Sequence, residues 1–317
     1  MTTGRQWVAT DFGGPEVLQL RDVDVPPPGP GEVTIAIRAS GMNPADFKHF
    51  APGQDRSLLP LIMGYEAAGV ITSLGPGTEI ATGGGAPGDE VIAFQILGGY
   101  ASAITVAAQD VFAKPSTLSF AQAANLLLAG TTAAELLATA DVRDGDTVLL
   151  HGAAGAVGMS TLQQAMLKGA RVIGTASKDN FGIVAGFGGV PVTYGDGLAD
   201  RVRQAAPEGI AAVLDTVGSD EAVSTSLELL DDRRRFVTLT AFRRSAQDGF
   251  VAIGASNPAS GPFRAKARAG IVALAAAGKL EVPVARSFAF EDAREAVAML
   301  AGPHPSGKLA LMGPDDV

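Results

Sequence analysis

The stretch from Asp146 to Lys168 leaves a chain like this few folds to choose from. Residues Asp146–His151, with Val148-Leu149-Leu150 at their centre, read as a strand. They pass without a linker through Gly152-Ala153-Ala154-Gly155-Ala156-Val157-Gly158 into a helix-forming segment, Ala156 to Lys168, that Gly169 stops. A strand that turns at once into a helix aims the helix's first N–H groups, and the positive end of its dipole, at whatever lies over the strand end. In this order of elements the turn fits the pyrophosphate of a dinucleotide. Gly155 permits close approach of the phosphate and Gly158 close packing of helix on strand. Ala153 stands where the first glycine of the usual pattern would be, and Ala156 and Val157 complete the expected cradle.

The surroundings supply the rest of the domain. Arg171–Thr175, Val190–Tyr194, Ile210–Asp215 and Arg235–Thr240 read as strands separated by helical segments, which predicts a parallel sheet covered on both faces. Before Ser119 the texture differs: Val33–Arg38 alternates apolar and polar, and Gly69–Leu74 and Glu90–Phe94 are further short strands bounded by Gly or Pro. Gly75–Gly88, with three consecutive glycines, is expected to be a mobile loop. Ala121–Ala140 reads as helix interrupted around Gly130-Thr131-Thr132. Two helices, Pro262–Ala277 and Phe290–Leu300, and a strand at Lys308–Met312 close the chain. At 317 residues the chain exceeds what one core usually holds. The expected fold is α/β: a doubly wound parallel sheet, residues 121–257, inserted into a β-rich domain, residues 1–120 completed by 258–317.

The second strand of the parallel sheet bears on the choice of dinucleotide. An Asp or Glu at its end would bind the ribose 2′-hydroxyl of NAD. Here the strand ends Thr175-Ala176-Ser177-Lys178. Ala176 takes the acidic position, Ser177 offers a donor and Lys178 a point charge suited to phosphate, so NADPH is the expected cofactor. Tyr194, ending the following strand, is placed to close over the adenosine.

Other classes fall away on composition. A formal net charge of −9 disfavours nucleic acid; Arg233-Arg234-Arg235 and Arg243-Arg244 read as solvated turns, the first after Asp231-Asp232. There is no cysteine, hence no disulfide and no thiolate ligand, and the three histidines, His49, His151 and His304, are too scattered for a metal site. His151, at a buried strand end, is expected to be structural. No signal peptide and no apolar span of about 20 residues is seen, which gives a cytoplasmic expectation.

Several segments, in order along nearly the whole chain, carry a resemblance. Gly41-Met42-Asn43-Pro44-Ala45-Asp46, Gly64-Tyr65-Glu66-Ala67-Ala68-Gly69-Val70-Ile71, Gly88-Asp89-Glu90-Val91, Gly98-Gly99-Tyr100-Ala101, the Ala153-to-Gly158 turn, Asp215-Thr216-Val217-Gly218 and Gly307-Lys308 together resemble the zinc-free quinone oxidoreductase (zeta-crystallin-like) family of the medium-chain dehydrogenase/reductase superfamily. The resemblance implies a GroES-like catalytic domain around a Rossmann domain. It implies hydride transfer to a quinone or similar conjugated carbonyl, and a homodimer joined near Phe250–Ile253. Zinc enzymes of the superfamily place Cys and His where Asn43 and Tyr65 stand here, so zinc is not expected. Asn43, Lys48 and Tyr65 are implied as the catalytic wall of an interdomain cleft, with Asn43 near the nicotinamide; Lys48 replaces a Tyr common in relatives. Thr131 and Lys308 are implied on the cofactor side. Asn43 before Pro44 also suits a simple turn, and Lys48 a solvated surface.

Two other functions stay open at this point. Val172–Ser177 is also similar to segments of polyketide enoyl reductases, which points to an enoyl or 2-alkenal reductase. A non-catalytic NADPH-binding protein is the third, since lens crystallins occur in the family.

Overall fold

The computed structural model describes residues 2–52, 55–254, 257–302 and 305–314. His304 lies outside them. The chain forms two compact units: Met1–Leu128 with Val272–Gly278 and Val282–Val317, and Ala129–Ile271 with Lys279–Glu281.

In the first unit, β1 (Thr2–Ala9) pairs antiparallel with β2 (Leu18–Val25) and β4 (Leu61–Ile62). A larger sheet is built on β3 (Glu32–Met42), the longest strand, which bonds to β5 (Glu66–Leu74) and β7 (Ala103–Ala107); β6 (Glu90–Phe94) and β8 (Val111–Ala113) continue it beyond β5. Its core is the apolar set Val33, Ile35, Ile37, Ile71, Val91 and Val111. The glycine-rich 75–88 segment, expected to be mobile, is fastened instead. Ile80 is buried, and the Ala81 N–H reaches the carbonyls of Ala108 (3.1 Å) and Val111 (2.8 Å).

The second unit is a six-stranded parallel sheet in the order β11-β10-β9-β12-β13-β14. Here β9 is Thr147–His151, β10 Arg171–Ala176, β11 Val190–Thr193, β12 Ala212–Asp215, β13 Phe236–Thr238 and β14 Val251–Ala252. Numbered within the sheet this is 3-2-1-4-5-6, the dinucleotide-binding winding, with the order reversing between β9 and β12. Val148 and Leu150 face one apolar cluster and Leu149 the other, so the unbroken apolar run that marked this strand in the sequence reflects burial on both faces. β14 is one edge strand of this sheet and β11 the other. β15 (Val284–Phe288) and β16 (Lys308–Met312) return the chain to the first unit, β16 pairing antiparallel with β3.

The helical segment near residue 130 departs from expectation. The break falls at 124–126, between helices Phe120–Ala123 and Leu127–Thr139, and Gly130-Thr131-Thr132 are helical. Asn125 donates to the Ala121 carbonyl (2.9 Å) and accepts from the Met42 N–H (3.3 Å), ending the first helix. Gly130 serves packing: a Cβ there would lie 2.6 Å from Ile271. The unit boundaries, 128/129 and 271/272, also differ from 120/121 and 257/258. Leu128 N–H is bonded to Glu66 of the first unit, while Ser260 and Arg264 at the start of helix Ser260–Ala276 bond Glu135 of the second.

Candidate functional site

At the reversal point of the parallel sheet, β9 ends at His151 and the turn begins. Gly152 has φ +76°, and a side chain there would collide with Thr216 at the end of β12 (2.5 Å). Gly155 caps helix Ala156–Leu167 in an extended conformation, and Met159 N–H makes the first helical bond, to its carbonyl (2.8 Å). The N–H groups of Ala156, Val157 and Gly158 precede that bond, and Gly155 is exposed beside them. A Cβ on Gly155 would meet only the Gly152 carbonyl, at 3.3 Å; one on Gly158 would lie 2.0 Å from that oxygen. Gly155 therefore keeps the approach open and Gly158 lets the helix sit on the turn. Ala153 is buried, its N–H bonded to Thr175 of β10 (3.0 Å). It is tolerated because residue 174, opposite it, is glycine: a Cβ at 174 would come within 2.6 Å of the Ala153 methyl.

The other mouth of the turn is held by side chains. Asp215 accepts from the N–H groups of Val217 and Gly218 (2.9 Å each) and from the Thr238 hydroxyl (2.7 Å). His151 is buried and bonded to the Ser226 hydroxyl (2.9 Å). Burial drives its pKa down to about 4, against the pull of the Asp215 carboxylate, so it stays neutral beside the turn. At the end of β10, Ala176 is buried, Ser177 accepts from the Asn180 amide (3.0 Å), and Lys178 is exposed; Tyr194, past β11, is 59% exposed. A free backbone cradle, room at Gly155 and a cation at the next strand end fit a dinucleotide phosphate. Thr131, expected near the nicotinamide, is buried inside its helix.

The first unit holds a site of another kind. Asn43 caps the short helix Pro44–Lys48; its backbone N–H donates to Asp46 (2.7 Å). Its side chain, implied near the nicotinamide, is engaged within the unit: Nδ2 donates to Glu66 Oε1 (2.9 Å) and Oδ1 accepts from Lys308 Nζ. Lys308, expected on the cofactor, is buried and spends its charge on the Met42 carbonyl (3.0 Å), Asn43 and Glu66 (3.4 Å). Glu66 also accepts from the Leu128 N–H (2.9 Å). The Tyr100 hydroxyl donates to Asp46 Oδ2 (2.9 Å), and Asp46 Oδ1 is buried without a partner. Burial pushes the Asp46 carboxyl up to about 7, while the Asn43 N–H, Tyr100 and Lys308 oppose the rise and Glu66 adds to it. The Tyr100 hydroxyl is raised well above the usual tyrosine range, chiefly by burial.

Beside this network the side chains of Lys48, His49 and Tyr65 reach solvent. Lys48 is exposed, and Tyr65 is half-buried with its ring edge to face with that of exposed His49, centroids 5.1 Å apart. The structure thus brings Tyr65 together with His49 and places Asn43 with Lys308. The sequence reading passed over His49, Asp46, Glu66 and Tyr100 as functional groups. The available signal was Asp46 three residues after Asn43, with Pro44 at the first helical position, an N-cap signature. Among the described residues no group of three or more His, Cys, Asp or Glu could hold a metal ion, and no helix is long and apolar enough to cross a membrane.

Two protein families match. Residues 29–116 fit the alcohol dehydrogenase GroES-like domain and residues 190–311 a family described as zinc-binding dehydrogenase. The chain is similar to the synaptic vesicle membrane protein VAT-1 homolog of Rattus norvegicus, 34% identical over 68% of this chain and 54% of the relative. It is also similar to the quinone oxidoreductase of the same organism, 37% identical over 56% of each. The match thus spans about half the length of these curated relatives. Among solved structures, a mycobacterial protein complexed with NADPH superposes with TM-score 0.81 at 27% identity, over 98% of this chain and 99% of that one. The fold is that of nicotinamide-dependent dehydrogenases.

Proposed function

The chain belongs to the quinone oxidoreductase family of the medium-chain dehydrogenase/reductase superfamily, and from that premise we propose that it reduces a quinone or similar conjugated carbonyl with NADPH and without zinc. The observation that carries the reading is the backbone cradle of residues 152–158 at the sheet's reversal point, followed on β10 by Ala176, Ser177 and Lys178 rather than by an acid. When bound, NADPH supplies the hydride. The N–H groups at the start of helix Ala156–Leu167 hold the pyrophosphate, and Lys178 with Ser177 holds the 2′-phosphate. The first carboxylate after β10, Asp179, lies inside the turn Lys178–Asn180.

Zinc independence is supported by the donor set. The positions taken by Cys and His in the superfamily's zinc enzymes carry Asn43 and Tyr65, an amide engaged with Glu66 and Lys308 and a phenol whose ring meets that of His49 edge to face. An acceptor that spreads negative charge over its own conjugated system needs no Lewis acid.

Dissociation constants for NADPH and NADH, in the native chain and in Lys178→Ala, test the cofactor. NADPH is expected to bind roughly 10- to 100-fold more tightly, and Lys178→Ala to lose about tenfold for NADPH alone, as a charge-assisted contact would. Equal affinities in the native chain would overturn the assignment and give Asp179 the ribose. Absorbance assays with a quinone panel and an enone panel then fix the acceptor.

A further inference from the structure

The carboxyl ends of β10 and β11 lie side by side and are poor in positive charge. The two strands pair in parallel with Ala176 opposite Thr193, so Ser177 and Lys178 leave the sheet beside Tyr194 and Gly195. Thr193 thus stands one strand spacing, about 4.8 Å, from the position where an acid would hold a ribose hydroxyl. Residues 177–180 and 193–197 carry one cation, Lys178, and two exposed carboxylates, Asp179 and Asp196. Left to these groups, the two strand exits would repel a phosphate. The missing charge comes from the next helix, Leu198–Ala205. Arg201 turns its guanidinium back onto the exit of β11: Nε donates to the Thr193 carbonyl (2.9 Å), Nη2 to that of Gly195 (2.7 Å) and Nη1 to that of Asp196 (2.7 Å). Gly195 and Gly197, at φ +95° and +78°, let the turn fold around it. Three carbonyls orient a guanidinium without neutralising it, and they use three of its five N–H groups. Among the described residues Arg201 forms no ion pair, whereas Arg203 on the same helix is spent on Asp200 (3.1 Å) and Glu228. The Arg201 side chain is only partly buried.

Resting on the proposed use of NADPH, we propose that Arg201 is the second cation of the 2′-phosphate subsite, joining Lys178 there and setting the preference for the phosphorylated cofactor. Lys178 alone is outnumbered by Asp179 and Asp196; with Arg201 the charges at the two exits balance, and a phosphate dianion finds two cationic donors instead of one. The two cations differ in kind. A lysine is a point charge on a flexible stem, while an arginine presents its donors in a fixed plane that matches phosphate oxygens. The carbonyls of Thr193, Gly195 and Asp196 hold that plane before any cofactor arrives, so little side-chain freedom is lost on binding. NADH presents only a hydroxyl at this point and gains nothing from the added charge. The discriminating residue therefore sits not at the end of β10, where an acid or its absence is read, but on the helix that follows the neighbouring strand.

The test uses the full chain and two probes that lack the nicotinamide half, adenosine 2′,5′-bisphosphate and 5′-AMP, with dissociation constants measured by calorimetry. The native chain is expected to bind the bisphosphate more tightly. Arg201→Met is expected to lose about tenfold for the bisphosphate, as a charge-assisted contact would, and to leave the 5′-AMP constant unchanged. Arg201→Lys, which keeps the charge without the fork, should recover part of that loss. Arg203→Met, on the same helix but paired elsewhere, should change neither constant. Equal losses for both probes in Arg201→Met would show that Arg201 only shapes the turn, and would overturn the assignment. An effect of the same size and selectivity in Arg203→Met would overturn it too. If Arg201→Met does not fold, Arg201→Lys decides: a loss confined to the bisphosphate supports the assignment, and native constants overturn it. A native chain that binds the two probes equally removes the NADPH reading and this one with it. A native preference that survives Arg201→Met intact removes this one alone.

Discussion

The two units build their sites from opposite materials. The turn at residues 152–158 is backbone: its N–H groups, one left-handed glycine and the absence of Cβ atoms do the work, all within seven consecutive residues. The network of the first unit is side chain: five polar groups from four separate segments, with Lys308 reaching Asn43 across 265 positions of sequence. A backbone site tolerates many side-chain exchanges and fails when a Cβ is added. A buried polar network ignores small volume changes at its rim and fails when one charge loses its partner.

The largest effect on this contrast should come from Glu66→Ala. It strips partners from the buried Lys308 ammonium, the Asn43 amide and the Leu128 N–H at once. Breaking a buried ion pair by removing one member costs about 3–5 kcal/mol. Equilibrium denaturation measures it, and a loss below about 1 kcal/mol would mean that the network is not what holds this unit's site together.

Gly158→Ala should come next. Its Cβ would press on the Gly152 carbonyl at 2.0 Å, an overpacking expected to cost about 1–3 kcal/mol and to abolish dinucleotide binding by opening the turn. Gly155→Ala, whose Cβ would meet that oxygen at 3.3 Å, should leave the melting temperature nearly unchanged and weaken only the binding of NADPH. Thermal melts with and without NADPH separate the two. If both variants melt alike, the roles given to the two glycines collapse into one.

A further effect concerns pH. Asp46 sits at about 7 in the folded chain against an ordinary carboxylate value of about 3.9 unfolded. Between those values the folded state holds the extra proton. Its contribution to stability is thus complete below the unfolded pKa and lost as pH rises through the folded one. Asp46→Asn keeps an oxygen for the Asn43 N–H and Tyr100 and no longer titrates. Its melting temperature relative to the native chain should therefore climb from pH 5 to pH 8, by about 2–4 °C for each kcal/mol recovered. A constant difference across that range would show that Asp46 does not titrate in the folded state.

The same contrast decides what could be read in advance. The turn, its flanking strand and helix, and the alternation that follows were legible because each is encoded by neighbours in sequence. β6 and β16 coincide with their expected ranges for the same reason. The helix break was misplaced because Gly130 looked like punctuation, whereas its contact with Ile271, far along the chain, makes it a packing residue. β1 carries Thr2, Thr3, Gly4, Arg5 and Gln6 and lacks a strand pattern; its register comes from β2, with Trp7 anchored by its indole N–H to the Phe290 carbonyl (2.8 Å). Asn43 was expected in the catalytic wall and Lys308 on the cofactor side; their mutual engagement depends on β16 lying beside β3, which no local pattern records.

The pairing of Ala153 with Gly174 changes what a sequence fingerprint means in this chain. A search for Gly-x-Gly-x-x-Gly written along one segment passes over residues 151–158, because the missing hydrogen is supplied 21 positions later, on the adjacent strand. What the turn requires is an unfilled volume between itself and the adjacent strand, and either wall can leave it unfilled. Patterns that scan a line of letters register only one of those walls; a pattern written over strand neighbours, counting small residues on either side, would recognise this turn without any allowance for a mismatch.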